Sequence, residues 1–171
     1  MTETLDAVLP RDIQRDAERV LKIACEREIK LTTAESCTGG LLAALLTDVE
    51  GYSHTFERGF VVYSNQAKCD LLGLRRQQVE SCGAVSRDVA IAMAEGALDR
   101  SEAAVALSIT GYAGKPGKDD DGEEGLVHFG CAREGRETAH REERFGPIGR
   151  DGVRIAALRV SLEMIGEAME E

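Results

Sequence analysis

The chain has 171 residues and a mass of 18.5 kDa, which predicts one domain over residues 1–171, with residues 1–10 expected to be flexible. Its 21 basic and 31 acidic residues give a formal net charge of −10, so we expect neither nucleic acid nor an anionic membrane as a partner. No apolar stretch approaches the roughly 18 residues of a membrane span. The five cysteines form no C-x-x-C pair and the N-terminus has no secretory signal features, which together predict free thiols and a cytoplasmic location.

Hydrophobic periodicity predicts that helices and strands alternate in the first half of the chain. A helix over residues 11–29 has apolar residues at helical spacing, and a short strand follows at 31–36. Two glycines then open an almost wholly apolar helix at 39–49, which predicts that this helix is buried between layers. A β-branched strand at 59–64 precedes a helix that begins at Asn65, with Asn65 as its N-cap.

The second half of the chain continues the same alternation. Ser86 is the predicted N-cap of a helix that leads into a third strand at 103–110. Residues 126–132 and 138–145 form a predicted hairpin, and a closing helix covers about 150–169. This order predicts an α/β sandwich with a mostly parallel sheet and one antiparallel strand.

Polar residues follow three of the predicted strands, at residues 35–40, 63–65 and 108–111. In open α/β sheets ligands bind beyond the carboxyl ends of the strands, so a site is expected where these segments meet. Ser36 stands at a strand-to-helix turn before Thr-Gly-Gly, where its hydroxyl and unpaired N–H groups can hold a phosphate or an oxyanion. The spacing alone leaves open that Ser36 or Thr38 only caps the helix.

A nucleophilic serine needs a base, and none of the three histidines lies beside a predicted strand end. Lys68 is the other candidate, five positions after Tyr63 across a strand-to-helix turn. A lysine acts as a base only if burial or a nearby cation lowers its pKa from about 10.4, and Arg58 or Arg150 could supply that cation. Residue type alone also allows a solvated Lys68 and a Tyr63 that belongs to the core.

Several of these segments together resemble one known family, the CinA C-terminal domain family, over residues from about 14 to 165. Members similar to this form are nicotinamide-nucleotide amidohydrolases, which hydrolyse the carboxamide of nicotinamide mononucleotide (NMN) to nicotinate mononucleotide and ammonia. The resemblance implies a three-layer α/β/α sandwich with a mixed, mostly parallel sheet, and a homo-oligomer. We expect no cofactor and no metal, since the residue types that bind metals are scattered along the chain and the nucleophile is a side-chain hydroxyl. The matching segments are TAESCTGG at 33–40, FERGF at 56–60, YSN at 63–65 with Lys68, GAVS at 83–86 and ITG at 109–111.

The resemblance also implies roles for single residues. Ser36 would be the nucleophile, Lys68 the base and Tyr63 their hydrogen-bonding partner, while the adjacent Cys37 is expected to be buried and structural. Backbone N–H groups near Thr38 and Gly39 would hold the oxyanion. The full set of expected substrate-binding residues is Thr38, Gly39, Gly40, Asn65, Thr110 and Arg150.

One segment departs from the family pattern, in the predicted long loop (residues 111–125). After Ile-Thr-Gly, family members usually have Ile-Ala-Gly-Pro and glycines, whereas this chain has Tyr-Ala-Gly-Lys-Pro-Gly at 112–117. The acidic run at 119–124 is expected to be a solvated loop tip, since it would repel a phosphate. The alternative function is a regulatory module that binds pyridine nucleotides without turnover and therefore releases no ammonia.

Overall fold

Six helices and five strands lie along residues 9–118 and 120–170, which are the residues described by the computed structural model. Residues 1–8 of the expected flexible segment, and Asp119 of the acidic run, lie outside the described residues. The strands are β1 (Leu31–Glu35), β2 (Phe56–Val61), β3 (Val105–Gly111), β4 (Leu126–Arg133) and β5 (Ala139–Arg144). The helices are α1 (Arg11–Glu26), α2 (Leu41–Asp48), α3 (Asn65–Leu72), α4 (Arg76–Cys82), α5 (Arg87–Asp99) and α6 (Gly149–Met169).

The five strands form one mixed sheet in the order β2-β1-β3-β4-β5. Strand β1 pairs in parallel with both β2 and β3, whereas β4 is antiparallel to both of its neighbours. Four strands therefore point in one direction and β4 in the other, which confirms the predicted mostly parallel sheet. Strand β1 is buried along its whole length and β3 everywhere except its last residue, as expected of inner strands covered on both faces.

Helices cover both faces of the sheet, which confirms the three-layer sandwich. Helices α1, α2 and α6 pack on one face, and α3, α4 and α5 on the other. Helix α5 lies close to the sheet because small residues face it: a Cβ added at Gly130 would lie 2.5 Å from the carbonyl oxygen of Ala90. In α1 the buried side chains follow the predicted helical spacing and are Ile13, Ala17, Val20, Leu21 and Ala24.

Three local predictions were wrong. Helix α4 was not predicted, because Val79 is its one buried residue and a seven-residue helix with so little apolar surface shows no periodicity. Helix α2 is not buried between layers: Leu42, Leu45 and Leu46 are buried, but the opposite side is exposed. The N-cap of α3 is Ser64, whose hydroxyl accepts the N–H of Ala67 at 3.0 Å, so the predicted cap residue, Asn65, is the first residue of the helix.

Candidate active site

The turn formed by residues 36–40, called here the Ser36 turn, begins immediately after β1 at the carboxyl edge of the sheet. The N–H of Ser36 donates to the carbonyl of Ile109 at 3.0 Å, which continues the β1–β3 pairing by one residue and fixes the serine backbone. The Ser36 side chain is largely buried, with 7% of the residue exposed. Ser36 is therefore held at the end of the two inner strands.

Lys68 lies in α3 and reaches Ser36 from the neighbouring element. The residue is 1% exposed, and its Nζ donates to Ser36 Oγ at 3.1 Å and to the Val62 carbonyl at 3.1 Å. Burial lowers the pKa of Lys68, because desolvation disfavours the charged ammonium. A lysine in this position is able to accept the proton of the serine hydroxyl.

Arg58 is not a cation that lowers the pKa of Lys68. Its guanidinium pairs with the carboxylate of Glu57 at 2.7 Å and donates to the carbonyl of Arg100 at 2.8 Å. Arg150 does not account for the lowered lysine pKa either, since burial is its cause and the nearest electrostatic influences, Cys37 and Cys69, act in the opposite direction. Of the two causes that the sequence left open, burial is therefore the one that lowers the pKa of Lys68.

The carboxylate of Glu35 stabilises the Ser36 turn through hydrogen bonds, and this role was not identified from the sequence. This last residue of β1 is completely buried, and it accepts the hydroxyl of Thr38 at 2.7 Å and the N–H groups of Leu42 and Ala43 at 3.0 and 2.8 Å. A carboxylate at this place satisfies the unpaired N–H groups of the first turn of α2 and complements the helix dipole. The N-terminus of α2 is thus occupied by the chain itself and is not the anion site that the sequence suggested.

Arg154 also stabilises the Ser36 turn, and this role was not identified from the sequence either. Its Nε donates to the carbonyl of Cys37 at 2.9 Å, so α6 is connected directly to the Ser36 turn. Cys37 is buried as expected, and burial raises the pKa of its thiol to about 12, which keeps it protonated and unreactive. The sequence indicated Arg154 only as a basic residue in the first turns of the predicted closing helix.

A cavity of about 340 Å³ opens beside Ser36 and brings together most of the expected site residues. Its wall also includes Ala84, Val85 and part of the long loop, up to Asp120. The expected residues that line it are Ser36, Tyr63, Asn65, Lys68, Thr110 and Arg150. A larger depression between α1 and α2 has no hydroxyl, thiol or imidazole group among its lining residues.

Three expected substrate-binding residues are absent from the lining of this cavity. The hydroxyl of Thr38 donates to the carboxylate of Glu35, and the N–H of Gly39 donates to the carbonyl of Ser36 at 3.1 Å. Gly40 is the N-cap of α2 at φ 94°, a left-handed conformation that favours glycine. These three residues form the backbone of the Ser36 turn, and for this reason they do not line the cavity.

The polar side chains at the cavity rim differ in how firmly they are held. The hydroxyl of Thr110 donates to the carbonyl of Ala84 at 2.7 Å, so its oxygen can still accept a hydrogen bond from a ligand. Tyr63 is 69% exposed, and its hydroxyl makes no hydrogen bond within the described residues. Arg150 is exposed in the first turn of α6. The structure therefore brings Tyr63 to the cavity but does not bond it to the Ser36–Lys68 pair.

The long loop is not only the solvated tip that the sequence predicted, since part of it also lines the cavity. Its acidic side chains are exposed or half-buried, but Asp120 lines the cavity together with Lys115 and accepts the N–H of Gly117 at 3.1 Å. A Cβ added at Gly122 would lie 2.1 Å from a ring carbon of Tyr112, so the loop packs closely on that ring. Burial, with Asp120 and Asp121 nearby, raises the pKa of Tyr112. Asp120 of the acidic segment is thus part of the cavity wall.

Two further properties of the described residues concern metals and membranes. Within residues 9–118 and 120–170, no three His, Cys, Asp or Glu side chains come together in a way that could hold a metal ion. None of the helices in this part of the chain is both long enough and apolar enough to span a bilayer.

Comparisons with known proteins place these features in context. The sequence model of the CinA C-terminal domain matches residues 13–169. The nicotinamide-nucleotide amidohydrolase PncC of Escherichia coli strain K12 is 40% identical over 154 residues, which cover 90% of this chain and 93% of that protein. A CinA-like protein of Chlorobium phaeobacteroides is 48% identical over 130 residues, or 75% of this chain and 31% of that protein. The chain spans about a third of the length of several such relatives.

A solved structure agrees with the fold along nearly the whole chain. The crystal structure of the competence/damage inducible protein CihA from Agrobacterium tumefaciens has a TM-score of 0.91 and 40% sequence identity to this chain. The match covers 99% of this chain and 100% of that one.

Proposed function

Because the chain belongs to the CinA C-terminal domain family, we propose that it hydrolyses the carboxamide of nicotinamide mononucleotide to nicotinate mononucleotide and ammonia. The resemblance to PncC along nearly the full length of both proteins supports an amidohydrolase. The family match over residues 13–169 supports a single catalytic domain. The unpaired state of all five cysteines supports a reaction in the cytoplasm.

The hydrogen bond between Lys68 Nζ and Ser36 Oγ is the observation on which this proposal depends. A serine hydroxyl attacks an amide carbonyl only when a base removes its proton, and a buried lysine with a lowered pKa is such a base. A module that only bound nucleotides would have no use for a lysine desolvated against a serine. This geometry therefore favours the enzyme over the regulatory module.

The proposed reaction proceeds in two halves. Ser36 Oγ attacks the carboxamide carbon while Lys68 accepts the hydroxyl proton, and Lys68 then returns a proton to the departing ammonia. Water hydrolyses the resulting ester by the same route in reverse order. The N–H of Gly39 is already bonded within the turn and Thr38 does not line the cavity, so neither is assigned as an oxyanion donor.

The remaining cavity residues are assigned to the rest of the nucleotide. Arg150 and Lys115 are the cations at the rim, and we assign them to the phosphate because a guanidinium matches its oxygens bidentately. Asn65, Asp120 and Thr110 present oxygen atoms that can accept the ribose hydroxyls. Tyr63 remains the proposed hydrogen-bonding partner of the catalytic pair.

An ammonia assay tests the proposed function directly. Purified protein is incubated with NMN, ammonia is measured with a coupled dehydrogenase, and nicotinate mononucleotide is identified by mass spectrometry, with Ser36→Ala as the control. We expect both products from the wild type and neither from Ser36→Ala. Binding of NMN by calorimetry without any ammonia would instead establish the regulatory module.

Self-association is a second part of the proposal. Three large apolar side chains in β2 and the segment that follows it are exposed: Val61 in β2 at 50%, Tyr63 just after β2 at 69%, and Leu71 in α3 at 48%. Apolar groups at an unpaired strand edge are a common basis for subunit contacts. We expect light scattering on the eluting protein to give a mass above 18.5 kDa and Val61→Lys to shift it towards the monomer.

A further inference from the structure

A second cavity lies at the opposite edge of the sheet from Ser36, where β1 begins. Its volume is about 280 Å³, and it lies between the end of α1 and the segment that precedes β2. It contains both a thiol and an imidazole, whereas the cavity beside Ser36 has no imidazole among its lining residues. Its lining residues are Ala24, Cys25, Glu28, Ile29, Lys30, His54 and Thr55.

Cys25 and His54 form a close pair in this cavity. The distance between Cys25 Sγ and His54 Nε2 is 3.3 Å, so the imidazole can accept the thiol proton. Cys25 stands in the last turn of α1, where the helix dipole favours the imidazolium that results but opposes the Cys25 thiolate. The ammonium of Lys30 lines the same cavity and favours the thiolate, although it also pairs with Glu102 at 3.2 Å, and the carboxylate of Glu28 opposes it.

A separate observation indicates that this cavity accommodates a polar ligand. Thr55 is 2% exposed, and its buried hydroxyl has no hydrogen-bond partner within the described part of the chain. Buried hydroxyl groups are nearly always hydrogen-bonded, so an unpaired one beside a cavity points to a molecule that completes it. A ligand with polar groups could supply that partner.

The other cysteines are less suited to react. Burial raises the pKa of both Cys37 and Cys131 to about 12, and neither thiol is accessible. Cys82 is exposed, but its thiol lies 3.6 Å from the carboxylate of Asp88, which favours the protonated sulfur. Cys25 is the one cysteine of the five with an imidazole within hydrogen-bonding distance.

We propose that Cys25, with His54 as its base, is a site of thiol–disulfide exchange with small polar disulfides, such as oxidised glutathione. His54 Nε2 takes the proton of the thiol, and the Cys25 thiolate attacks one sulfur of the ligand. The new S–S bond forms as the bond of the ligand breaks, and the departing thiolate takes the proton back from His54. Cys25 is thereby oxidised to a mixed disulfide while the other half of the ligand is reduced to a thiol. The proposal does not depend on the amidase reaction.

The rate and position of glutathione addition test this inference. The reduced protein is mixed with oxidised glutathione at neutral pH, samples are quenched with acid over time, and peptide mass spectrometry locates the adduct. We expect Cys25 to be modified first, and His54→Gln to slow this modification about tenfold or more, because general bases contribute at least that much in other proteins. Since His54 is exposed, the variant should retain the unfolding midpoint of the wild type.

Two control variants show whether the effect of His54→Gln is specific to this cavity. Cys82→Ser and His140→Gln alter a cysteine and a histidine that do not line this cavity, so both should leave the rate at Cys25 unchanged. Modification of Cys82 or Cys69 ahead of Cys25 would overturn the proposal. So would an unchanged rate in His54→Gln, since the imidazole would then play no part in activating the thiol.

Discussion

Arg154 and Cys37 are separated by 117 positions in the sequence, yet the guanidinium Nε of one lies 2.9 Å from the carbonyl oxygen of the other. This bond connects the closing helix α6 to the Ser36 turn. The position of the Ser36 hydroxyl therefore depends on a residue near the end of the chain. Arg154 is a positioning residue by this geometry, because its contact is with the turn and not with the cavity.

Replacing Arg154 by Met should lower kcat for NMN deamidation about 10- to 100-fold with little change in KM, because a small displacement of a nucleophile is costly while the substrate contacts remain. Steady-state ammonia release at several NMN concentrations gives the two constants. Arg154→Lys, which keeps a donor on a shorter side chain, should recover part of the loss. A rise in KM at unchanged kcat would show that Arg154 binds substrate instead.

Ser36→Ala should reduce deamidation by at least about a thousandfold while NMN still binds, since only one hydroxyl is removed from the cavity. Ammonia release and isothermal calorimetry measure the two properties. Cys37→Ala is the matched control and should retain most activity, because the thiol is buried and protonated. Activity that survives in Ser36→Ala and disappears in Cys37→Ala would reverse the assignment of the nucleophile.

The pH dependence of kcat/KM should report on Lys68. The catalytic form is the neutral amine, so activity should rise with pH through the lysine pKa, and burial shifts this rise below the range of an ordinary lysine. Lys68→Arg should lose at least about 100-fold despite retaining the charge, since a guanidinium does not release its proton. Lys68→Met should lose a similar amount. An active Lys68→Arg enzyme would make the residue an electrostatic contact, with Tyr63 the next candidate base.

Glu35→Gln should destabilise the fold by about 1–3 kcal/mol, because the amide cannot reproduce the two-oxygen acceptor that serves Thr38 and the first turn of α2. Urea unfolding followed by circular dichroism gives the free energy. Glu18→Gln, on the exposed side of α1, is the matched control and should change it by no more than about 0.5 kcal/mol. Equal effects of the two changes would contradict a structural role for Glu35.

Gly130→Ala should lower stability by about 1–3 kcal/mol, because the added methyl group would meet the backbone of α5 at Ala90, which cannot easily move. The same change at Gly166 is the control: that helical glycine has no atom near the added methyl, and alanine should stabilise α6 by up to about 1 kcal/mol. Thermal unfolding of the two variants should thus shift in opposite directions.

The fold could be predicted well where side-chain periodicity reflects burial. The spacing of Ile13, Ala17 and Val20 predicted which face of α1 packs on the sheet. Helix α4 could not be found in this way, since tertiary contacts around Val79 stabilise it more than its own composition. The burial of α2 was overestimated because its leucines and alanines are all apolar, although only Leu42, Leu45 and Leu46 are buried.

The site could be predicted only in part, because its support comes from distant residues. The strand-end rule and the family motifs brought Ser36, Lys68 and Thr110 to one edge, and the cavity contains all three. The bond from Arg154 crosses 117 positions, and nothing in local spacing indicates it. Glu35 was overlooked for a different reason: a carboxylate at the end of a buried strand is recognisable as a helix cap only once the position of α2 is known.

The occupation of the α2 N-terminus by Glu35 has a consequence for how this protein could change during evolution. Many α/β proteins bind phosphate with the same helix N-terminus that carries the reactive residue, so that recognition and chemistry cannot vary separately. Here the Ser36 turn is completed by Glu35 and Arg154, and the cations of the cavity, Lys115 and Arg150, lie on other segments. Under the proposed function, we therefore expect substitutions in the long loop to alter which nucleotides are accepted while the Ser36 turn stays intact.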